Sequence, residues 1–530
     1  MHISELSGLL VTKNCFEIKI IHHIIWKVYW LMKRIRMVTI VVAALFCGSV
    51  NAQVDNSVYN KKQMQMREQY ERQRGLARQQ YDNARRKAEA EYAAFRKKAN
   101  EEYAKAAGHA WTKIGVEPAI PKPKEPEPPK PPEPQPNKKP STDPLPKGEV
   151  VTPPIKSDPI SPPPIPEPEP SVPTVSFDFY GTGCSVHANS NDLQFKLPSL
   201  DEKSISKAWQ QLSQEKYDGL LHDCIAQREA LRLSDWGYIC LLRSMCGQLL
   251  GYNSNEAVLL QMYMLAQSGY RIRIAREDDH LVLLVPFDHT IYNYSYINID
   301  NIRHYVLSNQ KGSTVQVCEV AFPKEQVAKL QMNQLPKLNS GKSRSRTLQS
   351  QRYSAMKATV EVDKGLIDLL NDYPLSDAWE IYAHAGLSDG AKSTLYPALR
   401  SQIRGKNKKD AAEMLLNFVQ TTFNYATDQD QFGYERPLFG DESIYYPKND
   451  CEDRSIFYSI LVRDLLELDV VLVHWPGHLA TAVAFPEEVA GDYFTIDGRH
   501  FTVCDPTYIG ANIGMTMPQF KNVSARLVNL

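Results

Sequence analysis

The sequence lacks several features by which common classes of protein are recognised. Lysine plus arginine and aspartate plus glutamate both number 61, so no overall charge favours binding to nucleic acid or to an anionic membrane. The apolar run Met37–Phe46 is about ten residues, whereas a membrane-spanning helix needs roughly 20. No two cysteines have the spacing of zinc ligands. We therefore predict no nucleic-acid partner, no transmembrane helix in the mature chain, no metal and no cofactor.

The N-terminal region has the pattern of a secretory signal. The basic stretch 32–36 precedes the apolar run Met37–Phe46, and Val50 and Ala52 are small residues at positions −3 and −1. We predict cleavage after Ala52 and a location in the periplasm or at the cell surface. The alternatives are an uncleaved anchor, which the short run disfavours, and lipidation at Cys47, which the bulky residue before it disfavours.

Tyrosine recurs at a strict spacing of eleven after the signal. The residues of this stripe are Tyr59, Tyr70, Tyr81, Tyr92 and Tyr103. Eleven residues make close to three helical turns, so the stripe runs almost straight along a helix. This pattern predicts a long helix that associates with itself or with an envelope partner. Because the stripe is thin, a solvated single helix is the alternative.

A proline-rich segment with many glutamates and lysines follows at residues 116–175. Proline has no amide hydrogen for a sheet ladder, and the segment has too few apolar residues for a core. The composition predicts an extended polyproline II spacer, and a proline-motif ligand for another domain is the alternative.

Most tryptophans, cysteines and periodic apolar residues come after residue 176, which predicts that the globular part is the C-terminal two thirds. The length of 530 residues favours two or three domains with linkers. In the last domain Asp410 is predicted to cap a helix over residues 411–423. The predicted organisation is 1–52, an upstream extension and signal peptide; 53–115, the helix; 116–175, the spacer; 176–330, a mixed α/β domain; 331–357, a linker; and 358–530, an α+β domain.

Cys451 has the surroundings of a nucleophile. It opens an apolar-periodic helix, where free N–H groups and the helix dipole favour a thiolate. Its acidic neighbours Asp450, Glu452 and Asp453 oppose a thiolate, so the sulfur needs an imidazolium nearby. His478 begins a predicted strand after a turn, and Asp505 follows the last strand of the same predicted sheet.

A nucleophile, a base and a group that orients the base are what acyl transfer through a thioester requires. The order of these three segments resembles the transglutaminase-like superfamily, whose members have a papain-related α+β fold. The matching motifs are Cys451-x-Asp-x-Ser, Gly-His478 and Asp505-Pro-Thr, within about residues 360–530. The resemblance implies that Cys451 is the nucleophile, His478 its base and Asp505 the residue that holds the ring. One departure is Leu479-Ala480, where members often have alanine and an aromatic residue.

The remaining site residues are less constrained by the sequence. The Cys451 amide is the first candidate for an oxyanion donor, and Tyr445, Tyr446 or Asn449 could add a side-chain donor. His474 and His500 compete as bases but lack the preceding glycine. Cys504 is predicted to be a buried small apolar residue.

We expect an exported cysteine hydrolase or acyl transferase that acts on amide bonds of protein or peptide substrates. The resemblance leaves protease, deamidase and transglutaminase open, with hydrolysis favoured. The alternative is a non-catalytic envelope tethering protein that uses papain-like folds as recognition surfaces.

The first domain contains a helix, strand and strand in the same sequence order. Ser254 opens the helix and His280 begins the second strand, a separation close to that of Cys451 and His478. Residues 176–330 are therefore either a degenerate second copy of the fold or a coincidental likeness, and a comparison of strand orders decides between these.

Overall fold

The computed structural model describes residues 56–109, 111–123, 142–153, 160, 165, 174–188, 195–214, 217–308 and 312–530. The predicted signal, its cleavage after Ala52 and the lipidation alternative at Cys47 lie outside these residues. Residues up to Ala84 and residues 85–530 form two compact units. No helix in the described part of the chain combines the length and the apolar composition needed to cross a bilayer.

The first element is a single long helix, α1 (Asn56–Ala107). Tyr70 and Tyr81 are exposed, whereas Tyr103 is buried. From Arg85 onward the helix belongs to the larger unit, and there the tyrosine stripe packs on the chain's own first domain. The helix ends earlier than predicted, because residues 112–115 form a strand.

The first domain is α+β, with a hairpin, four helices and a six-stranded sheet. The sheet order is β1-β9-β5-β6-β8-β7, and all described pairs in it are antiparallel. Its elements are β1 (Thr112–Gly115), β3 (Thr174–Phe179), β4 (Thr182–His187), α2 (Glu202–Leu212), α3 (Asp218–Ala230), α4 (Asp235–Leu250), α5 (Asn255–Gln267), β5 (Arg273–Glu277), β6 (His280–Val285), β7 (Tyr296–Ile299), β8 (Ile302–Val306) and β9 (Thr314–Cys318).

The second domain is also α+β, and its sheet order is β14-β15-β13-β12-β16-β2. Its elements are β2 (Lys147–Val151), β10 (Ser343–Gln349), β11 (Lys357–Asp363), α6 (Lys364–Asn371), α7 (Trp379–Ala385), α8 (Asp389–Ile403), α9 (Lys408–Thr422), α10 (Asp428–Gln431), α11 (Gly440–Tyr445), α12 (Cys451–Leu466), β12 (Val470–Trp475), β13 (His478–Ala484), β14 (Tyr493–Ile496), β15 (Arg499–Cys504) and β16 (Ala525–Asn529), with a short 3₁₀ helix at Pro518–Phe520.

The sheet of the second domain is covered on both faces. Helix α12 packs on β12, β13 and α9, and a separate apolar cluster that includes Phe494, Val503 and Leu527 covers the other face. Every residue of β13 is buried, which is why its sequence reads as a continuous apolar run instead of an alternation. The strand that begins with His478 is therefore held on both sides.

Strands also form in segments that were predicted to be helix, spacer or linker. Residues 112–115 and 147–151 add β1 and β2 at the outer edges of the two sheets, although the sequence indicated a helix and a spacer there. Both stretches are free of proline, so they keep the amide hydrogens that pairing needs. The predicted linker 331–357 likewise contains β10, which pairs with β11.

Candidate functional site

Helix α12 positions Cys451 as its first residue. Asp450 is the N-cap and accepts a hydrogen bond from the Asp453 amide, while the Asp453 side chain accepts one from the Asp450 amide. This capping box fixes where the helix begins. The Cys451 side chain is 4% exposed, so the sulfur lies at a helix start that is closed to bulk solvent.

A two-residue turn positions His478. Strands β12 and β13 pair Trp475 with His478, so only Pro476 and Gly477 lie between them. Gly477 has a φ of 71°, which glycine adopts without the strain that a Cβ brings. The turn therefore places His478 at the first position of β13, as the sequence predicts.

The structure brings His478 and Asp505 together. His478 Nε2 lies 2.9 Å from Asp505 Oδ2, and Asp505 Oδ1 accepts hydrogen bonds from the amides of Thr507 at 2.9 Å and Tyr508 at 3.1 Å. The carboxylate is thus fixed by the backbone on one side and by the imidazole on the other. This arrangement leaves Nδ1 as the ring nitrogen that does not contact Asp505.

Cys451 lies beside the residue that follows His478. The Leu479 N–H is close enough to the Cys451 sulfur to lower the pKa of its thiol, and the Ser455 hydroxyl donates to the Leu479 carbonyl at 2.8 Å. The peptide segment at the start of β13 is therefore bonded to α12 through its C=O and faces the Cys451 sulfur with its N–H. These contacts hold the start of β13, and with it His478, against α12.

Two aromatic rings hold the plane of the imidazole. The Phe520 ring is 5.1 Å from the His478 ring and nearly parallel to it, and Trp475 stacks at 6.2 Å. The Trp475 indole donates to the Val523 carbonyl at 3.1 Å, which fixes the indole in turn. The sequence did not identify Phe520, because it comes from a loop distant in the chain.

The charges around Cys451 oppose ionisation of its thiol. Burial raises the pKa of Cys451 well above its ordinary value, and Asp450 and Glu452 raise it further, while the Leu479 N–H lowers it. Glu452 Oε2 is 3.8 Å from the sulfur. The resting thiol is consequently neutral, and a thiolate forms only as its proton moves to a base.

A cluster of buried carboxyl groups lies next to the nucleophile. Burial raises the pKa of Asp428 to about 9 and that of Asp453 to about 8, and neighbouring carboxyl groups add to both shifts. Burial also raises the pKa of Asp450, and the charges of Glu452 and Asp453 raise it further. Burial in a space of low dielectric favours the protonated form of each acid, and the negative charges of neighbouring acids favour it further.

Nothing in the sequence pattern around Asp428 indicates this cluster. Three groups place their ligand atoms within 4.8 Å of one another: Asp450, Cys451 and Glu452; Asp428, Asp450 and Asp453; and Asp428, Glu435 and Glu452. Carboxylate oxygens are the ligands that hard cations such as Ca²⁺ prefer. No sequence spacing indicates this donor set, because folding brings the loop to the helix start.

Among the predicted oxyanion donors, the structure separates Asn449 from the two tyrosines. Asn449 is 1% exposed, and both polar atoms of its side chain are buried without a hydrogen-bond partner in the described part of the chain. Tyr446 donates its hydroxyl to Asn371 at 2.8 Å, and the Arg344 guanidinium lies over the Tyr445 ring. A buried side-chain amide next to the nucleophile helix is therefore available for a substrate oxygen.

The competing residues occupy other places. The His474 ring packs on Trp379, with centroids 4.6 Å apart, and His500 is exposed and stacks on Tyr493. Cys504 is fully buried, and burial raises the pKa of its thiol. These positions agree with the prediction that Cys504 is an apolar core residue.

Gln420 on α9 is a positioning residue that the sequence did not indicate. Its Nε2 donates to three carbonyl groups, those of Asp505 at 3.2 Å, Tyr508 at 2.9 Å and Ala511 at 3.0 Å. Its Oε1 accepts from the Gly510 amide. One side chain thus ties down the loop that carries Asp505.

Comparisons of the chain with family models, with curated proteins and with solved structures give no match. What defines the class of the protein is therefore its own architecture, which is α+β with antiparallel sheets and helices packed on them.

Proposed function

We propose that the chain is an exported cysteine hydrolase or acyl transferase that acts on amide bonds of proteins or peptides through a thioester at Cys451. In this proposal the second domain has the papain-related fold of transglutaminase-like enzymes. The order of Cys451, His478 and Asp505 on a helix start and two strands supports that assignment.

The reaction assigns one task to each residue. His478 Nδ1 takes the thiol proton as the Cys451 sulfur attacks the amide carbonyl carbon, and a tetrahedral oxyanion forms. The carbonyl reforms as the C–N bond breaks, and His478 gives its proton to the leaving amine. Water or a second amine, deprotonated by His478, then attacks the thioester and releases Cys451.

The single observation that carries the proposal is the bond between His478 Nε2 and Asp505 Oδ2 at 2.9 Å, beside a helix that begins with Cys451. Asp505 keeps the proton on Nε2, so Nδ1 is the free base. Asn449 and the Cys451 amide are the donors that we assign to the oxyanion, because a buried amide without a partner is matched to a charge that appears only during reaction.

The test measures the rate at which iodoacetamide labels Cys451 in the folded protein at near-neutral pH. Labelling is followed by mass spectrometry. An enzyme is expected to show rapid labelling that falls at least tenfold in His478→Gln, because the imidazole no longer removes the proton. His500→Gln is the matched control and leaves the rate unchanged. Substrates are then sought as peptides cleaved or cross-linked by the wild type and not by Cys451→Ala.

A non-catalytic recognition protein is the second candidate function. The specific observation in its favour is the environment of the thiol, which is 4% exposed and has its pKa raised by burial, Asp450 and Glu452. Labelling of Cys451 no faster than that of an ordinary thiol, with no effect of His478→Gln, would establish this function and exclude the enzyme.

A further inference from the structure

The two domains have the same sheet topology. From β1 to β7 the first sheet runs β1-β9-β5-β6-β8-β7, and from β2 to β14 the second runs β2-β16-β12-β13-β15-β14. In the first domain α5 leads into the central hairpin β5–β6, and in the second α12 leads into β12–β13. Each later strand of the first sheet then has the same neighbours as its counterpart in the second. One difference is that β2 pairs parallel to β16 while β1 pairs antiparallel to β9.

The elements before the sheets also correspond. Each domain opens with a two-stranded antiparallel hairpin, β3–β4 or β10–β11. The first strand of the hairpin contacts α4 or α9, the second contacts α3 or α8, and α4 or α9 packs on α5 or α12. Chance could produce the same order of one helix and two strands in both domains. It does not account for eight further elements that follow the same order.

The correspondence reaches the positions of the candidate site. Strands β5 and β6 pair Glu277 with His280 across a two-residue turn, as β12 and β13 pair Trp475 with His478. His280 therefore occupies the place of His478, at the first position of its strand.

Asn255 occupies the place of Cys451. It is the first residue of α5, and its N-cap is Ser254, which corresponds to Asp450. The Asn255 Oδ1 accepts a hydrogen bond from the Leu281 amide at 2.8 Å, and the N–H at the equivalent position, Leu479, lies beside the Cys451 sulfur and lowers the pKa of its thiol. The sequence comparison matched Ser254 with the cysteine, and the structure corrects this by one residue.

Ser308 occupies the place of Asp505. The Leu307 amide donates to the Leu283 carbonyl, which puts Leu307 opposite the third residue after His280, as Cys504 is opposite Thr481 after His478. Ser308 follows directly, and its hydroxyl accepts from the Leu283 amide at 3.1 Å.

We propose that residues 174–318 are a second copy of the fold of residues 343–529, and that Asn255, His280 and Ser308 are its former catalytic site. Asn255 now closes that site, because its Nδ2 also donates to the Asp279 carbonyl at 2.9 Å. His280 contacts Asp279, with its Nδ1 2.6 Å from the Asp279 carboxylate, and its side chain is 40% exposed. The first copy also has only residues 251–254 where the second has 423–450, the segment that carries Asp428 and Asn449.

The first copy has taken on a different task, which is to hold α1. Arg96 forms an ion pair with Asp218, and Asn100 donates to Gln267 at 3.0 Å and accepts from the Trp209 indole at 2.9 Å. Tyr103 packs on Trp209, with ring centroids 4.6 Å apart. These contacts come from α2, α3 and the last residue of α5, Gln267, whereas the former nucleophile position is the first residue of α5. Catalysis and attachment of the helix are thus divided between the two copies.

The test rebuilds the lost site in a Cys451→Ala chain, so it does not depend on the activity of Cys451. Asn255→Cys supplies the thiol, Asp279→Gly releases His280 and reproduces the glycine of the Pro476-Gly477 turn, and Ser308→Asp supplies the acceptor. The rate of iodoacetamide labelling at position 255 is measured at several pH values, with and without His280→Gln. We expect labelling at pH 7 to fall at least tenfold when His280 is removed.

Equal rates with and without His280, in variants whose circular dichroism matches the parent, would overturn the proposal. If the rebuilt chain does not fold, Asn255→Cys with Asp279→Gly, and with Ser308 unchanged, provides the comparison in the Cys451→Ala chain. His222→Gln, at a histidine on α3 whose Nδ1 is 3.5 Å from Asp223, is the matched control and is expected to leave the rate unchanged.

Discussion

Single charges next to the sulfur set how readily Cys451 ionises. Glu452 is a principal cause, after burial and Asp450, of the raised pKa of this thiol. We expect Glu452→Gln to lower the thiol pKa and to speed alkylation of Cys451 on the order of three- to tenfold at pH 7.5, because a negative charge is removed. The rate is followed by mass spectrometry as a function of pH. Glu488→Gln, at an exposed position, is the control, and an equal rate in both variants would contradict the assignment.

The hydrogen bonds of Gln420 lead to a second prediction about a single residue. Gln420→Leu leaves three carbonyl groups without their donor, and each buried polar group without a partner costs about 1–3 kcal/mol. We expect the free energy of unfolding to fall by about 2–4 kcal/mol in urea titrations. The exposed Gln429→Leu is expected to change it by less than about 0.5 kcal/mol. A fall of similar size in both variants would show that the bonds are not the cause.

Some residues of the site could be predicted from the sequence, and others could not. Cys451 at a helix start, His478 after a glycine and Asp505 after a strand are local patterns, because capping and turn chemistry act over a few residues. Asp428, Phe520 and Gln420 reach the site only through tertiary packing, so nothing in their neighbours marks them. Asn449 was one of three candidates until burial separated it from the tyrosines.

At the scale of elements, the segment between α9 and α12 brings buried acids to the helix start. In the folded chain the pKa of Asp428 is about 9 and that of Asp453 about 8, whereas in an unfolded chain both are near 4. The folded state therefore holds protons that the unfolded state has lost. Stability is expected to decline as the pH rises from about 4 to about 9, since each deprotonation favours the unfolded chain.

The measurement is urea unfolding of the wild type and of Asp428→Asn at pH 5, 7 and 9. The amide oxygen of the variant still accepts the Arg436 N–H that Asp428 accepts, and no carboxyl group remains there to titrate. We expect a shallower loss of stability with pH in this variant. Asp430→Asn, on the same short helix but exposed, should keep the slope of the wild type, and the reverse pattern would refute the explanation.

The part of α1 that packs on the first domain leads to a further prediction. Arg96 has a side chain 7% exposed and pairs with Asp218, and removing one partner of a buried ion pair leaves the other uncompensated. We expect Arg96→Met to lower the free energy of unfolding by about 2–3 kcal/mol and to speed amide exchange in residues 92–107. Arg74→Met, which removes an exposed pair with Glu71, is the control and is expected to have little effect.

Helices and strands were predicted correctly where the sequence pattern that marks them lies within the element or next to it. The Cys451 helix and the strands around the Pro476-Gly477 turn lie close to their predicted places, since apolar period and turn residues agree there. The predicted cap at Asp410 is wrong: Asn407 is the N-cap, and its side chain accepts from the Asp410 amide. Asn and Asp cap equally well, so sequence alone did not separate the two positions. Strand β2 was not predicted because prolines dominate the composition around it, and β1 was not predicted because the helical pattern of the residues before it was extended over it.

At the scale of the whole molecule, the sequence indicated the globular two thirds and left the relation between its halves open. The separation of Ser254 and His280, which is close to that of Cys451 and His478, suggested two copies of one fold. Only the strand order and the positions of the hydrogen bonds distinguish duplication from chance. The two domains are alike in which strands pair with one another. Strands that pair in a sheet can be far apart in the sequence. Such information is not present in any local pattern of residues.

The pairing of β2 with β16 also affects how the chain is made. Asn529 donates to Thr152 across 377 positions, so β2 is translated before all of the first domain except β1, and its partner strand β16 follows only after this interval. At the usual 5–20 residues per second the interval is roughly 20–75 s. During that time β2 has no native partner, and the second sheet is completed only after β16 has been synthesised.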